Sequence, residues 1–120
     1  MSKITVYGIK NCDTMKKAFV WLDKHKVDYV FHDYKKEGAD MATLKTAVKK
    51  FGWEDVLNRK GMSWRKLPDK VKTGMTEKRA LEEAEKNPSL IRRPMIVKGA
   101  SITFGFDEEA YKKAFGKKGR

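Results

Sequence analysis

The sequence of 120 residues is poor in the side chains that fix covalent or metal cross-links. It has one cysteine, Cys12, two histidines and three prolines. A lone cysteine provides no internal disulfide framework. His25 and His32 stand without any Cys/His spacing of the zinc type, so no metal is expected. No apolar run approaches the roughly 20 residues needed to cross a bilayer, so no membrane partner is expected. The first residues, Met1-Ser2-Lys3-Ile4-Thr5, enter a strand pattern without the apolar region of a signal peptide. Cytoplasm is therefore the expected location.

Acidic residues are also in the minority. Sixteen Asp and Glu face 28 Lys and Arg, a formal net charge of +12. The excess is largest in residues 41–80, with 11 basic against 4 acidic side chains, among them Arg59, Lys60, Arg65, Lys66, Lys70 and Lys72. Such charge suits a polyanion or simply a well-solvated surface. No nucleic-acid motif accompanies it, so nucleic acid is not expected as a partner. A basic rim around an anion-binding thiol is a third reading. Hydrophobic residues make up 40% of the chain and are spread through most of it, which indicates one folded domain with a real core.

What the sequence does hold is a cysteine in a particular place. Ile4 to Tyr7 alternates as a half-buried strand does. It runs through Gly8 into a turn, Ile9-Lys10-Asn11-Cys12. Beyond the turn Met15, Ala18, Phe19 and Leu22 fall on one face of an amphipathic helix. Cys12 thus lies at or just before a helix N-terminus. Unpaired N–H groups and the positive end of the dipole favour an anion there. A thiolate is such an anion. Lys10, Lys16 and Lys17 add positive charge, and Asp13 opposes it. An inert, buried cysteine is the competing reading. Asp13 or Thr14 is the expected helix cap.

The rest of the chain reads in order. Val27 to Tyr34 is a second strand, with Val27, Tyr29 and Phe31 on one face and His32 on the other. Lys35 to Ala39 is a polar connection. Asp40 caps a helix with Met41, Leu44, Val48 and Phe51 apolar, and Gly52 stops it. Trp53 to Leu57 and Trp64 to Leu67 are short helical turns around a polar break, Asn58-Arg59-Lys60-Gly61. Thr76 starts a helix with Ala80, Leu81 and Ala84 on one face, and Asn87-Pro88 ends it. Pro94 precedes a short buried strand, Met95 to Val97, and its X–Pro bond is a candidate for the cis form. Lys98 to Ser101 turns the chain back into Ile102-Thr103-Phe104, a hairpin. Asp107 caps a last helix with Ala110, Tyr111, Ala114 and Phe115 apolar. The order β-α-β, helices, β-β-α predicts an α/β fold with a four-stranded mixed sheet flanked by helices. One domain over 1–115 is expected, with a helical insertion at about 40–87 and a flexible tail at 116–120.

The cysteine turn and the proline before the third strand resemble a thioredoxin-like fold. Three segments narrow the likeness: Tyr7-Gly8-Ile9-Lys10-Asn11-Cys12-Asp13-Thr14, Trp64-Arg65-Lys66-Leu67 and Ile91-Arg92-Arg93-Pro94. They resemble the arsenate-reductase-like (ArsC) family, its YffB-like members in particular, with the Spx-type regulators as relatives. The resemblance covers nearly the whole chain. It implies a nucleophilic Cys12 and an anion-binding set of Lys10, Asn11, Thr14, Arg59, Arg93 and Pro94. Of the three arginines that hold the oxyanion in arsenate reductases of the family, Arg59 and Arg93 match two. The third position falls in Thr103-Phe104-Gly105-Phe106, which has no arginine, so arsenate reduction is the least expected activity.

The YffB-like resemblance implies glutathione-dependent thiol–disulfide reduction by a single cysteine. Met15 stands where a Cys-x-x-Cys partner would, so an external thiol must resolve any mixed disulfide. No bound cofactor is expected. Glutathione, or another small thiol, is the expected co-substrate, with glutaredoxin as a further partner. The Spx likeness implies an alternative: a transcriptional regulator that binds RNA polymerase.

Overall fold

The computed structural model describes residues 3–116, and the tail expected at 116–120 lies, beyond Gly116, outside the described residues. The chain divides into two compact units. The first runs up to Lys35 and resumes at Arg93, and the second is Lys36–Arg92.

The first unit contains the sheet. Its strands are β1 (Ile4–Gly8), β2 (Val30–Asp33), β3 (Met95–Lys98) and β4 (Ser101–Phe104), in the order β2-β1-β3-β4. β1 is parallel to β2 and antiparallel to β3, and β3 pairs antiparallel with β4. This is the expected four-stranded mixed sheet. Register explains the two faces. Val6 is opposite Phe31 on one side and Ile96 on the other, while the next residue, Tyr7, is opposite His32 and Met95.

Two helices cover the Val6 face: α1 (Asp13–Lys24) and, after β4, a helix at Glu108–Phe115. Ile4, Val6, Met15, Ala18, Trp21, Leu22, Ile96, Tyr111 and Phe115 form one buried cluster, with Cys12, Phe19 and Phe31 packed against it. Burying a large apolar side chain contributes about 1.5–3 kcal/mol. The opposite face carries an aromatic group in which the Tyr7 and His32 rings lie 4.8 Å apart and His32 meets Tyr34 edge-on at 5.9 Å.

The second strand is shorter than the alternation of Val27 to Tyr34 suggests. Lys26 adopts a left-handed φ of 57° and the Val27 N–H donates to the Leu22 carbonyl, so this stretch closes α1 instead of pairing. Val27 and Tyr29 still pack on the core. At the other end Asp33 accepts a hydrogen bond from the Lys35 N–H, and a short helix, α2 (Tyr34–Glu37), begins where a polar connection was expected.

The second unit is helical. It holds α3 (Met41–Phe51), α4 (Trp53–Val56), α5 (Met62–Arg65), α6 (Asp69–Thr73), α7 (Glu77–Lys86) and a 3₁₀ turn at Pro88–Leu90. Asp40 caps α3 by accepting from the Thr43 N–H, and Gly52, at φ 88°, ends it with its N–H on the Val48 carbonyl. Thr76 caps α7 through the Arg79 N–H. Leu44, Ala47, Val48, Val56, Leu57, Ala80, Ala84, Leu90 and Ile91 are buried. A single bridge joins Leu57 to Ile91, flanked by Asn58 N–H to Leu90 O and Arg92 N–H to Val56 O. The last helix of the chain, Glu108–Phe115, is α8, and Asp107 caps it by accepting from the Glu109 and Ala110 amides. Among the described residues no helix is long and apolar enough to cross a membrane.

Candidate functional site

β1 delivers the chain to the site. Its last residue, Gly8, lies against the fully buried Met15 of α1, and an added β-carbon would run into the Met15 thioether. The turn Ile9-Lys10-Asn11 follows, and Cys12 then takes the N-cap position of α1 with φ −128° and ψ 133°. Its carbonyl accepts the first helical hydrogen bond, from the Lys16 N–H at 2.9 Å. The cap is therefore neither Asp13 nor Thr14. Both lie inside the first turn, where a side chain no longer reaches the free amides.

The N-cap position is where a side-chain acceptor meets the second and third amides of a helix. In α1 those belong to Thr14 and Met15. Partial burial pushes the Cys12 thiol up, but the Met15 N–H, the Arg93 guanidinium and the Thr14 N–H outweigh it, and the net shift is downward from the ordinary thiol value. Position, the nearby amides and the Arg93 charge together thus favour the thiolate more than in an ordinary thiol. Cys12 is half-buried, accessible to a small reactant.

Arg93 comes to the sulfur from the loop that leads into β3. The Arg93–Pro94 peptide bond is cis. Pro94 is buried, and its carbonyl accepts the Gly105 N–H at 2.9 Å. Gly105 sits at φ 73°, and its own carbonyl accepts the Tyr111 hydroxyl at 2.6 Å. The Pro94 loop is thereby tied to the end of β4 and, through Tyr111, to the core beneath α1.

The structure brings Cys12, Thr14 and Arg93 together, and Pro94 follows Arg93 through a cis bond. Thr14 takes part through its backbone amide. Lys10 and Asn11 are exposed in the turn beside Cys12. Arg59 belongs to the second unit. It follows α4 in the chain, with its guanidinium 5.9 Å from the centre of the Trp53 ring. There it lines a hollow of about 450 Å³ with Asn58, Lys60, Arg92, Glu54 and Asp55. His32, a candidate ligand or base by sequence, is instead part of the aromatic face with Tyr7 and Tyr34. Among the described residues no three His, Cys, Asp or Glu side chains gather as metal ligands would.

Sequence reasoning does not identify the Met15 amide as a contributor. Its signal is present, since it is the third amide after an N-cap cysteine, but the helical pattern alone puts the cap one or two residues later. The Gly8–Met15 packing and the Gly105–Tyr111 hydrogen bond leave no such mark in the sequence.

The model of the ArsC family matches residues 7–114. An uncharacterized protein of Haemophilus influenzae is 43% identical over 112 residues, covering 93% of this chain and 98% of that protein. The solved structure of a protein designated YffB is 45% identical, with a TM-score of 0.90, covering 94% of this chain and 99% of the other. The global transcriptional regulator Spx of Streptococcus pneumoniae is 29% identical over 108 residues, covering 88% of this chain and 80% of Spx. The span matched by the family model runs through the cysteine turn, the helical unit and the Pro94 loop, and the fold is thioredoxin-like.

Proposed function

The chain belongs to the ArsC family, and from that membership we propose that it is a thiol–disulfide exchange enzyme that works with one cysteine and uses glutathione as its thiol co-substrate. The observation that carries this reading is the lowered Cys12 thiol, held by the Met15 amide and Arg93. A thiolate is the attacking species in exchange, and a pKa nearer ambient pH raises its fraction.

The reaction balances with one external thiol. The Cys12 thiolate attacks the glutathione sulfur of a mixed disulfide between glutathione and a substrate thiol. A Cys12–glutathione disulfide forms and the substrate leaves as a thiolate, which takes up a proton. The thiolate of a second glutathione attacks the glutathione sulfur held on Cys12. Oxidised glutathione leaves and the Cys12 thiolate is restored. No second protein cysteine is needed, which fits a chain whose only cysteine is Cys12. Arg93 stabilises the thiolate before attack and again as it leaves. Glutathione carries two carboxylates, and charge-assisted hydrogen bonds from Arg93 and Lys10 suit them. Asn11, Thr14 and the backbone around Pro94 position the peptide, and Arg59 is assigned to anion recognition on its own unit. The reducing cytoplasm is the fitting compartment.

The absence of an arginine at the end of β4 weighs against arsenate as substrate. Gly105 stands there with a positive φ that disfavours a side chain. The likeness to Spx supports a second reading, a regulator that binds RNA polymerase. Against it, the position three residues after Cys12 is a fully buried methionine and cannot serve as a redox partner.

The test is a titration of thiolate absorbance against pH, with Cys12→Ser as the blank, together with turnover of a glutathionylated peptide. An inflection below the ordinary thiol range and release of the peptide thiol at the expense of glutathione are expected. An ordinary thiol titration without turnover overturns the proposal.

A further inference from the structure

A second surface lies along α1, apart from the thiol. Lys16, Lys17, Val20, Trp21, Lys24 and His25 line one side of a groove of about 440 Å³, and Phe106 and Glu108 line the other. This is near the small end of the roughly 300–1,000 Å³ typical of ligand sites. Its floor is apolar. Val20 is 65% exposed, an unusual position for a valine on a helix whose opposite face is core. Phe106 packs edge-on to Tyr111 and leaves its other side to the groove. The rim is basic. Three lysines face one glutamate, and among the described residues none of the three has an ion-pair partner.

We propose that this groove docks an acidic segment of a partner protein, with an apolar side chain of that segment seated on Val20 and Phe106. Charge complementarity selects the occupant. An apolar anchor flanked by Asp or Glu satisfies the floor and the three unneutralised lysines at once, while a basic segment meets repulsion on the rim. Single-stranded nucleic acid requires exposed ring faces for its bases. The groove offers none from Trp21, whose indole is 4% exposed and stacked on His25 at 3.9 Å. An anionic bilayer favours a broad apolar face. Here the exposed apolar side chain of α1 is Val20, within a concavity. The inference does not depend on thiol exchange, because Val20 and Phe106, which seat the anchor, are not among the groups that lower the Cys12 thiol.

The experiment uses the full chain with Cys12→Ser, so that thiol chemistry cannot contribute. Fluorescently labelled peptides of about a dozen residues, rich in Glu with Leu and Phe four positions apart, are titrated by anisotropy. Matched peptides replace Glu by Lys, or Leu and Phe by Ser. Binding of the acidic apolar peptide alone is expected. Val20→Glu, or Lys17→Glu with Lys24→Glu, is expected to weaken it about tenfold or more, as loss of an anchor or of its charged rim does. All of these positions lie on the groove, away from the buried cluster, and thermal melting verifies that the variants fold. Equal affinity for the variants, equal affinity for the Lys peptide, or no binding overturns the proposal. Preference for phosphatidylglycerol vesicles or single-stranded DNA, lost in the same variants, also overturns it. Turnover of a glutathionylated peptide by the Val20→Glu variant with Cys12 restored is expected to stay at the wild-type level. Failure of docking is thereby distinguished from failure of thiol exchange.

Discussion

Gly8 and Met15 are packed so closely that a β-carbon on the glycine has no room beside the methionine sulfur. The contact joins the last residue of β1 to the first turn of α1, with the Cys12 turn held between them. Met15 is fully buried, so its thioether must shift against core neighbours to make room. Gly8→Ala must therefore displace the Met15 side chain, which packs under the first turn of α1, whose amides lower the Cys12 thiol. Overpacking of this kind costs about 1–3 kcal/mol. Denaturant unfolding is expected to show that loss. Iodoacetamide labelling of Cys12 at neutral pH is expected to slow, a change that simple destabilisation would not produce.

Arg93 supplies the positive charge at the sulfur. Arg93→Ala is expected to raise the Cys12 pKa, and Arg93→Lys to restore part of the shift by charge without the planar donor fork. The pH profile of alkylation measures both. An unchanged profile in the alanine variant would leave the helix amides as the sole cause.

The lowered pKa also has a sign for stability. A group whose folded pKa lies below its unfolded value stabilises the folded state at high pH, and that contribution fades as pH falls through the folded pKa. The stability difference between wild type and Cys12→Ser is therefore expected to grow in favour of wild type as pH rises from the folded toward the unfolded thiol pKa. Urea midpoints across that range check it. A flat difference would mean that the thiolate is not favoured in the folded chain.

Much of this arrangement is legible in the sequence because it is local. Alternation marks β1, and a short apolar run after Pro94 with a tight turn at Lys98 to Ser101 marks the hairpin of β3 and β4. The caps Asp40, Thr76 and Asp107 announce their helices, since a short acceptor placed directly before an amphipathic run is matched to the free amides of a first turn. The helical period of α1 points to Met15, Ala18, Phe19 and Leu22 as core; Met15, Ala18 and Leu22 are buried, and Phe19 is half-buried against them. Trp21 escapes that pattern because it faces α8, where its ring meets Tyr111 edge-on at 5.3 Å. Periodicity within one helix cannot reveal a second neighbour. The short helices α2 and α6 escape it because four or five residues carry too little pattern to compete with turn signals.

The site is legible in part for the same reason. Cys12 before a helix is a local fact, as is the arginine before Pro94. That Arg93 acts on the Cys12 sulfur is a contact between residues far apart in the chain, and the resemblance to a family suggests it where spacing cannot. The Gly105 anchor lies beyond both. Its positive φ and its two hydrogen bonds come from packing between the end of β4 and the Pro94 loop.

Tyr111 offers the sharpest test of that anchor. Its hydroxyl donates to the Gly105 carbonyl at 2.6 Å, and the ring is fully buried. Burial pushes the phenol pKa well above the ordinary tyrosine value. The sign follows from the raised folded pKa. The stabilising contribution of the neutral phenol is complete below the unfolded value of about 10 and is lost as pH rises from there toward the folded pKa. Tyr111→Phe keeps the ring and removes the hydroxyl, so it is expected to cost about 1–3 kcal/mol at neutral pH through the unsatisfied carbonyl. It is also expected to flatten the decline of stability at alkaline pH relative to wild type. Because Gly105 holds the Pro94 loop, the same variant is expected to raise the Cys12 pKa by loosening Arg93. Thermal melts at neutral and alkaline pH, with an alkylation profile of the folded variant, separate these effects. If the melts shift and the alkylation profile does not, Gly105 supports the fold without positioning Arg93.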